Sequence, residues 1–247
     1  MTGIGLSLRR FIVNLICGFV YNENTRRRVR VTLNSPVFEL CRFIKKDCGI
    51  RHPKFKIMTG FRACNLCIKV DEKYIYKYPT MKEGLGKNAE IRERDITTEL
   101  AKVSPIFIPT PTLLKYEDKC LRRYDVVSGI SLRQLIRRGK VYQDYKKYLA
   151  HQVAYFLYVI AKSNPAKLNK YKLPADKNKT PDFMYGWHHC DLLDNFFIDP
   201  KTFKITAFID WEEVAFGDFS KDFHDKDPIL NDFMKTIKTE YAKIYNK

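Results

Sequence analysis

No apolar run in this chain is long enough to cross a bilayer. The run from Phe11 to Val20 falls well short of the roughly 20 residues a membrane helix needs. No secretory cleavage site follows it, so export is not expected. Cys64-x-x-Cys67 has no second pair to match it, which argues against a structural zinc module. The same pair lies in a strand-like alternation, whereas a redox dithiol needs a helix start. Histidine is scarce, at five residues, and H-E-x-x-H is absent, which argues against a zinc hydrolase. Helix-turn-helix, zinc-finger and ribonucleoprotein signatures are missing too, and no nucleic-acid partner is expected. Internal repeats and low-complexity segments are also lacking.

What is present is a globular composition. With 45% hydrophobic residues over 247 positions, the chain can bury a core of one large domain or two small lobes. Forty-five Lys and Arg against 28 Asp and Glu leave a formal charge of +17, which favours an anionic partner, and charge alone does not choose among phosphate, an acidic glycan, an anionic membrane surface and nucleic acid. The seven cysteines (Cys17, Cys41, Cys48, Cys64, Cys67, Cys120 and Cys190) are odd in number and scattered. They read as packing thiols of a cytoplasmic protein.

Residues 1–50 form a basic, amphipathic N-terminal segment. Leu8, Phe11, Ile12, Leu15, Ile16 and Phe19 recur at helical spacing ahead of Arg26, Arg27, Arg28 and Arg30. Such a helix either lies on an anionic membrane surface through residues 1–30 or packs on the domain's own core, and periodicity does not distinguish the two. Strands are then expected at Phe55–Gly60, Leu66–Val70 and Tyr74–Tyr78, and a helix over Gly84–Leu100. A strand near Cys120–Val127, a long helix over Tyr142–Lys162 and a hairpin of Asn195–Asp199 with Phe203–Asp210 complete the pattern. A sheet-rich first part thus precedes a helix-rich second part.

Chemistry-bearing residues gather around the hairpin. Before it stands His188-His189-Cys190-Asp191-Leu192-Leu193-Asp194-Asn195, and at its end Ile209-Asp210-Trp211-Glu212. A loop Asp and Asn, followed one hairpin later by an Asp at a strand end, bring oxygen ligands to one mouth. That is what phosphoryl transfer requires: a positioning base, metal ligands and a cation on the phosphates. His188 reads as a packing or hydrogen-bonding histidine, and Trp187 and Trp211 as core.

These segments resemble the H-x-D loop and I-D-W-E segment of the aminoglycoside phosphotransferase and choline kinase superfamily. Gly217-Asp218-Phe219-Ser220-Lys221-Asp222 is similar to its G-D-P-x-x-D, with Phe219 in place of proline. The resemblance implies that Asp191 is the catalytic base, that Asn195 and Asp210 hold Mg²⁺, and that His189, Asp218 and Asp222 support the loop. Upstream, Gly60 to Asn65 resembles the turn over the nucleotide phosphates, and Lys77 the phosphate-binding lysine on its strand. Glu93 resembles that lysine's carboxylate partner, and Asp125-Val126-Val127-Ser128-Gly129 the hinge that receives adenine.

By this likeness the fold is α+β and bilobal, protein kinase-like. An N-lobe over 51–128 carries an antiparallel sheet and a helix, and a mostly helical C-lobe spans 129–247. The implied activity is ATP-dependent transfer to a hydroxyl of a small-molecule or saccharide acceptor, such as a lipopolysaccharide core sugar. The basic, apolar N-terminus resembles the leading segments of some bacterial surface-polysaccharide enzymes. A choline or ethanolamine kinase and a nucleotide-binding pseudokinase are the alternatives. One departure bears on the metal: Asp191 to Asn195 is four steps where the family has five. The missing residue shortens the loop by up to about 3.5 Å, and Asp194 becomes an alternative metal ligand. Only residues 223–247 follow Asp222, where the family's acceptor-shaping helices lie.

Overall fold

The computed structural model describes residues 22–59, 65–80, 88–172, 184–225 and 227–246. The chain divides into two compact units, one of residues 1–86 and 112–126, the other of residues 87–111 and 127–247. The Leu8–Phe19 stripe and the Gly60–Cys64 turn lie outside the described residues.

In the first unit, helices α1 (Glu23–Asn34) and α2 (Val37–Cys48) precede three strands, β1 (Phe55–Thr59), β2 (Asn65–Val70) and β3 (Tyr74–Pro79). Strands β4 (Thr112–Tyr116) and β5 (Lys119–Asp125) complete an antiparallel sheet of order β1-β2-β3-β5-β4. Alternation decides its faces, because successive side chains on a strand point to opposite sides. Leu66, Ile68 and Val70 of β2 turn inward with Tyr76 and Tyr78 of β3 and Leu121 of β5. Leu40 and Ile44 of α2 cover that face and are fully buried. Residues 37–48 are therefore part of the core and not of a separate N-terminal segment: Leu40 and Ile44 sit one helical turn apart and need an apolar partner. Gly49 ends α2 in the left-handed conformation that favours glycine (φ 65°).

Asp47 fastens this helix to the sheet. Its Oδ2 accepts from Tyr76 Oη (2.7 Å) and from Arg123 (2.9 Å), two residues paired across β3 and β5. The opposite face carries Asn65, Lys77, Arg122 and Tyr124. Lys77 pairs in register with Arg122, its ammonium lies 5.3 Å from the Tyr124 ring centre, and Arg122 donates to Asn65 Oδ1 at 2.9 Å.

The second unit begins with α3 (Ala89–Leu100), which carries Glu93. This helix packs within the second unit, whereas the motif order puts it with the N-lobe sheet. Asp95 explains why: it accepts from Tyr171 Oη (2.7 Å) and Lys170 (3.0 Å), and Arg92 donates to the Val214 carbonyl. Burial pushes the Asp95 carboxyl up, but Tyr171, Arg94 and Lys170 together hold it at about 2.

Two helices form the body of this unit. Leu149, Val153, Phe156, Leu157 and Ile160 make the buried stripe of α5 (Lys140–Lys162), preceded by the short α4 (Leu132–Arg137). They pack on Leu230, Phe233, Met234, Ile237 and Tyr241 of α6 (Pro228–Tyr245). Asp227 caps α6 at Ile229 N (3.0 Å), with Pro228 in the first turn where no N–H is needed. Burying one such phenylalanine contributes about 2–3 kcal/mol.

Small sheets complete the unit. Strand β6 (Ile130–Ser131) pairs with β8 (Phe196–Ile198), which pairs with β9 (Ile205–Phe208), and β7 (Tyr185–His188) pairs with β10 (Ala215–Asp218). Gly129, at φ 107°, passes so close to the Ile198 carbonyl that a Cβ would sit 2.4 Å from its oxygen. Trp187 and Trp211 are both buried. Among the described residues, no helix is long and apolar enough to cross a membrane.

Candidate active site

The β8–β9 hairpin organises the site. Its closed end is a tight turn in which Asp199 accepts from Lys201 N and Thr202 Oγ1, each at 2.9 Å. At its open end the ladder continues one step further, because Ile209 N–H donates to the Asn195 carbonyl at 3.0 Å. Asn195 and the residue after Ile209, Asp210, are thereby held on adjoining backbones. Asp210 adopts the left-handed conformation (φ 67°, ψ 55°), which Asp tolerates better than most residues. Trp211 closes this turn by donating its indole N–H to the Phe208 carbonyl at 2.9 Å.

The loop before the hairpin is pinned by its middle. Leu192 and Leu193 are buried, while Asp191 and Asp194 on either side face outward. Asn195 Nδ2 donates to the Asp191 carbonyl at 2.9 Å, which closes the four-residue span and turns the amide oxygen the other way. Asp194 forms an ion pair with Arg133 of α4, which also reaches Asp225 at 3.2 Å.

His189 locks the loop to the hairpin. It stacks on Phe208 (4.1 Å, 29°), which itself stacks on Phe196 (3.9 Å, 3°). Burial holds its imidazole down at about 4, although Asp210 and the Ile209 carbonyl pull upward, so the ring is neutral at pH 7. Its Nε2 lies 2.9 Å from the Ile209 carbonyl, which assigns the proton to that nitrogen.

Asp222 anchors the other side. Its Oδ2 accepts from Cys190 N–H (3.1 Å) and faces His188 Nδ1 (2.9 Å). Burial lowers the His188 imidazole, but Asp222 and Cys190 outweigh it and raise it to about 9. Asp218, exposed at the end of β10, accepts from Ser220 N–H at 2.8 Å.

The second unit thus brings together Asp191, Asp194, Asn195 and Asp210, with His189 and Asp222 behind them. Glu93 is buried on α3, and Val127 opens the unit's second segment. Asn65, Lys77 and Asp125 belong to the first unit, Asp125 at the exposed end of β5. Two residues that no motif assigns stand out, Arg122 in the first unit and Cys190 in the second. Arg122 is buried and in register with Lys77, a relation set by cross-strand pairing. Cys190 is exposed and lies 3.5 Å from His188 Nδ1, so it is not a packing thiol. Its signal was a cysteine two residues after a histidine.

No protein-family model matches this sequence, and no curated protein does. Solved structures do match. A GDP-bound wild-type aminoglycoside 2'-phosphotransferase-IIIa superposes with a TM-score of 0.65 at 17% identity, covering 84% of this chain and 83% of that one. An ADP-bound aminoglycoside phosphotransferase of type 2''-Ib gives 0.61 at 16%, covering 83% and 81%. A macrolide 2'-phosphotransferase from Brachybacterium faecium gives 0.56 at 11%, covering 83% and 82%. At these identities the likeness establishes the fold: α+β, with the antiparallel sheet and helical body of the kinase-like phosphotransferases.

Proposed function

We propose that this chain is a phosphotransferase that moves the γ-phosphoryl group of ATP onto a hydroxyl of a small-molecule or saccharide acceptor. The observation that carries this reading is the open end of the β8–β9 hairpin, where Asn195 and Asp210 adjoin and the outward-facing Asp191 binds Asn195 through its carbonyl. Solved structures of the same fold, described as complexes with GDP or ADP and named for transfer to aminoglycosides, support nucleotide use.

Asp191 is assigned as the base. It orients the acceptor hydroxyl and takes its proton as the acceptor oxygen bonds to Pγ and the bond from Pγ to the β–γ bridging oxygen breaks. The Asn195 amide and the Asp210 carboxylate are hard oxygen donors that suit Mg²⁺ and would hold it; Asp194, ion-paired with Arg133, is the weaker candidate. When bound, Mg²⁺ neutralises charge on the phosphate oxygens. Neutral His189 and Asp222 keep the loop in place from behind. Lys77 is assigned to the phosphates with Glu93 as its partner, Asn65 to the phosphate turn, and the backbone at Asp125 and Val127 to the base.

For the acceptor, the charge of +17 disfavours a polycationic aminoglycoside and favours an acidic or phosphorylated sugar, such as a lipopolysaccharide core hydroxyl. Contact of residues 1–30 with an anionic membrane belongs to the same proposal, and removal of residues 1–22 should then weaken vesicle binding. The test is acceptor-dependent ADP release across acidic sugars, lipopolysaccharide core fragments, aminoglycosides and choline. Asp191→Asn should lower turnover by about a hundredfold or more with nucleotide affinity nearly unchanged, whereas Asp210→Asn should lose both. Mg-ATP binding without transfer to any acceptor would make the chain a nucleotide-binding module instead.

A further inference from the structure

Behind Asp191, three ligand atoms of different chemistry converge. His188 Nδ1 lies 2.9 Å from Asp222 Oδ2 and 3.5 Å from Cys190 Sγ, and all three groups offer atoms within 4.8 Å of one another. The local backbone produces this meeting. His188 ends β7, and Cys190 adopts φ 69°, so the chain doubles back and the thiol faces the imidazole two residues earlier. A left-handed φ is what glycine adopts freely, yet the position holds a cysteine.

We propose that His188, Cys190 and Asp222 bind a divalent transition-metal ion of the Zn²⁺ class through Nδ1, Sγ and a carboxylate oxygen, with solvent as the fourth ligand. The spacing supports this. Tetrahedral zinc, with bonds of about 2.0 Å to N and O and about 2.3 Å to S, separates its ligand atoms by about 3.3 Å (N to O) and about 3.5 Å (N to S). The His188–Asp222 and His188–Cys190 separations therefore lie within a few tenths of an ångström of those in a zinc site, and the Cys190 thiol and the Asp222 carboxylate lie within 4.8 Å of each other. Cys190 is exposed, which leaves the thiol side open to the ion and to water, while the histidine and aspartate side chains are about nine-tenths buried at 11% and 10% exposure. The Cys190 N–H on Asp222 Oδ2 (3.1 Å) orients the carboxylate from outside the coordination shell. A thiolate and an imidazole select Zn²⁺ over Mg²⁺, so the site is chemically separate from the oxygen donors Asn195 and Asp210. Binding displaces the Cys190 thiol proton and the proton that His188 shares with Asp222.

The test uses the full chain, stripped with EDTA, desalted and titrated with Co²⁺ as the spectroscopic probe. One equivalent should bind and produce a sulfur-to-metal charge-transfer band in the near ultraviolet. Cys190→Ser should abolish that band, and His188→Gln should weaken binding by about tenfold or more. No stoichiometric binding to the unmodified chain, or a band that survives Cys190→Ser, overturns the proposal; a surviving band would point to the other cysteines. Circular dichroism checks that each variant is folded. Should Cys190→Ser not fold, alkylation of the unmodified chain decides the matter: one equivalent of Zn²⁺ should slow labelling of Cys190, mapped by mass, about tenfold. An unchanged labelling rate overturns the site.

Discussion

Replacing His188 with glutamine should flatten the pH dependence of unfolding between pH 6.5 and 9. In the folded chain the imidazole sits beside the Asp222 carboxylate at 2.9 Å and its pKa is raised from 6.5 to about 9. A raised folded pKa means that the native state holds the proton more tightly than the unfolded chain. Its contribution is therefore fully present below pH 6.5 and is lost as pH rises through 9. At about 1.4 kcal/mol per pH unit the gap corresponds to about 3 kcal/mol, of which about 2–3 kcal/mol disappears within the window. Neutral His189 acts in the other direction and outside this window: held at about 4, it contributes stability above pH 6.5 that is lost as pH falls towards 4. The assay is urea unfolding at pH 6.5 and pH 9 in EDTA, for the unmodified chain and for His188→Gln. Subtracting the two pH effects cancels the titrations they share. An equal loss of stability in both proteins would refute the ion pair as a stabilising contact.

Arg133→Ala should lower stability by about 1–3 kcal/mol, measured by chemical unfolding, because it strips the partner from both Asp194 and Asp225. If Asp194 serves only that ion pair, Asp194→Ala should leave Mg-dependent nucleotide affinity unchanged; a loss in a titration with and without Mg²⁺ would make it a metal ligand. Gly129→Ala should destabilise by more than about 2 kcal/mol in a thermal melt, since its Cβ would meet the Ile198 carbonyl at 2.4 Å and φ is 107°. Asp47→Ala should cost about 2–4 kcal/mol by leaving Tyr76 Oη and Arg123 without their shared acceptor, whereas a loss below about 0.5 kcal/mol would show that α2 is held by Leu40 and Ile44 alone.

Local patterns were legible in the sequence and distant pairings were not. Alternation located β2 and β3 to within a residue or so, and the buried stripe of α5 located the longest helix, because each periodicity is complete within its own segment. The hairpin was found, although its strands are shorter than the pattern suggested, since Asn195 and Ile209 continue the ladder beyond the paired strands. Strands β7 and β10 are not legible in the sequence: each has four residues, and each becomes a strand only by pairing with the other across a long separation. Strand β4 followed a proline-bearing stretch that reads as irregular. Helix α6 carries its own start signal, Asp227 before Pro228, but it lies beyond Asp222, where the motifs end. The loop was legible as chemistry and not as geometry. Which carboxylate faces outward depends on Leu192 and Leu193 finding a core that no local pattern reveals.

The first unit is discontinuous, and this bears on how the chain can be made and divided. Strand β3 pairs with β5, yet residues 87–111 go to the other unit before β5 is synthesised. Until residue 125 emerges from the ribosome, β3 presents an open edge of unpaired amide and carbonyl groups, the kind of template on which another chain can add a strand. A fragment ending at residue 86 would keep that edge permanently and should aggregate. One that rejoins residue 86 to residue 112 through a short flexible linker would supply β4 and β5 at once and restore the sheet's order. The excursion also delays sheet closure, because its ends must be brought together before any cross-strand contact rewards it. Translation of residues 87–125 is therefore an interval in which the incomplete sheet is open to misassembly.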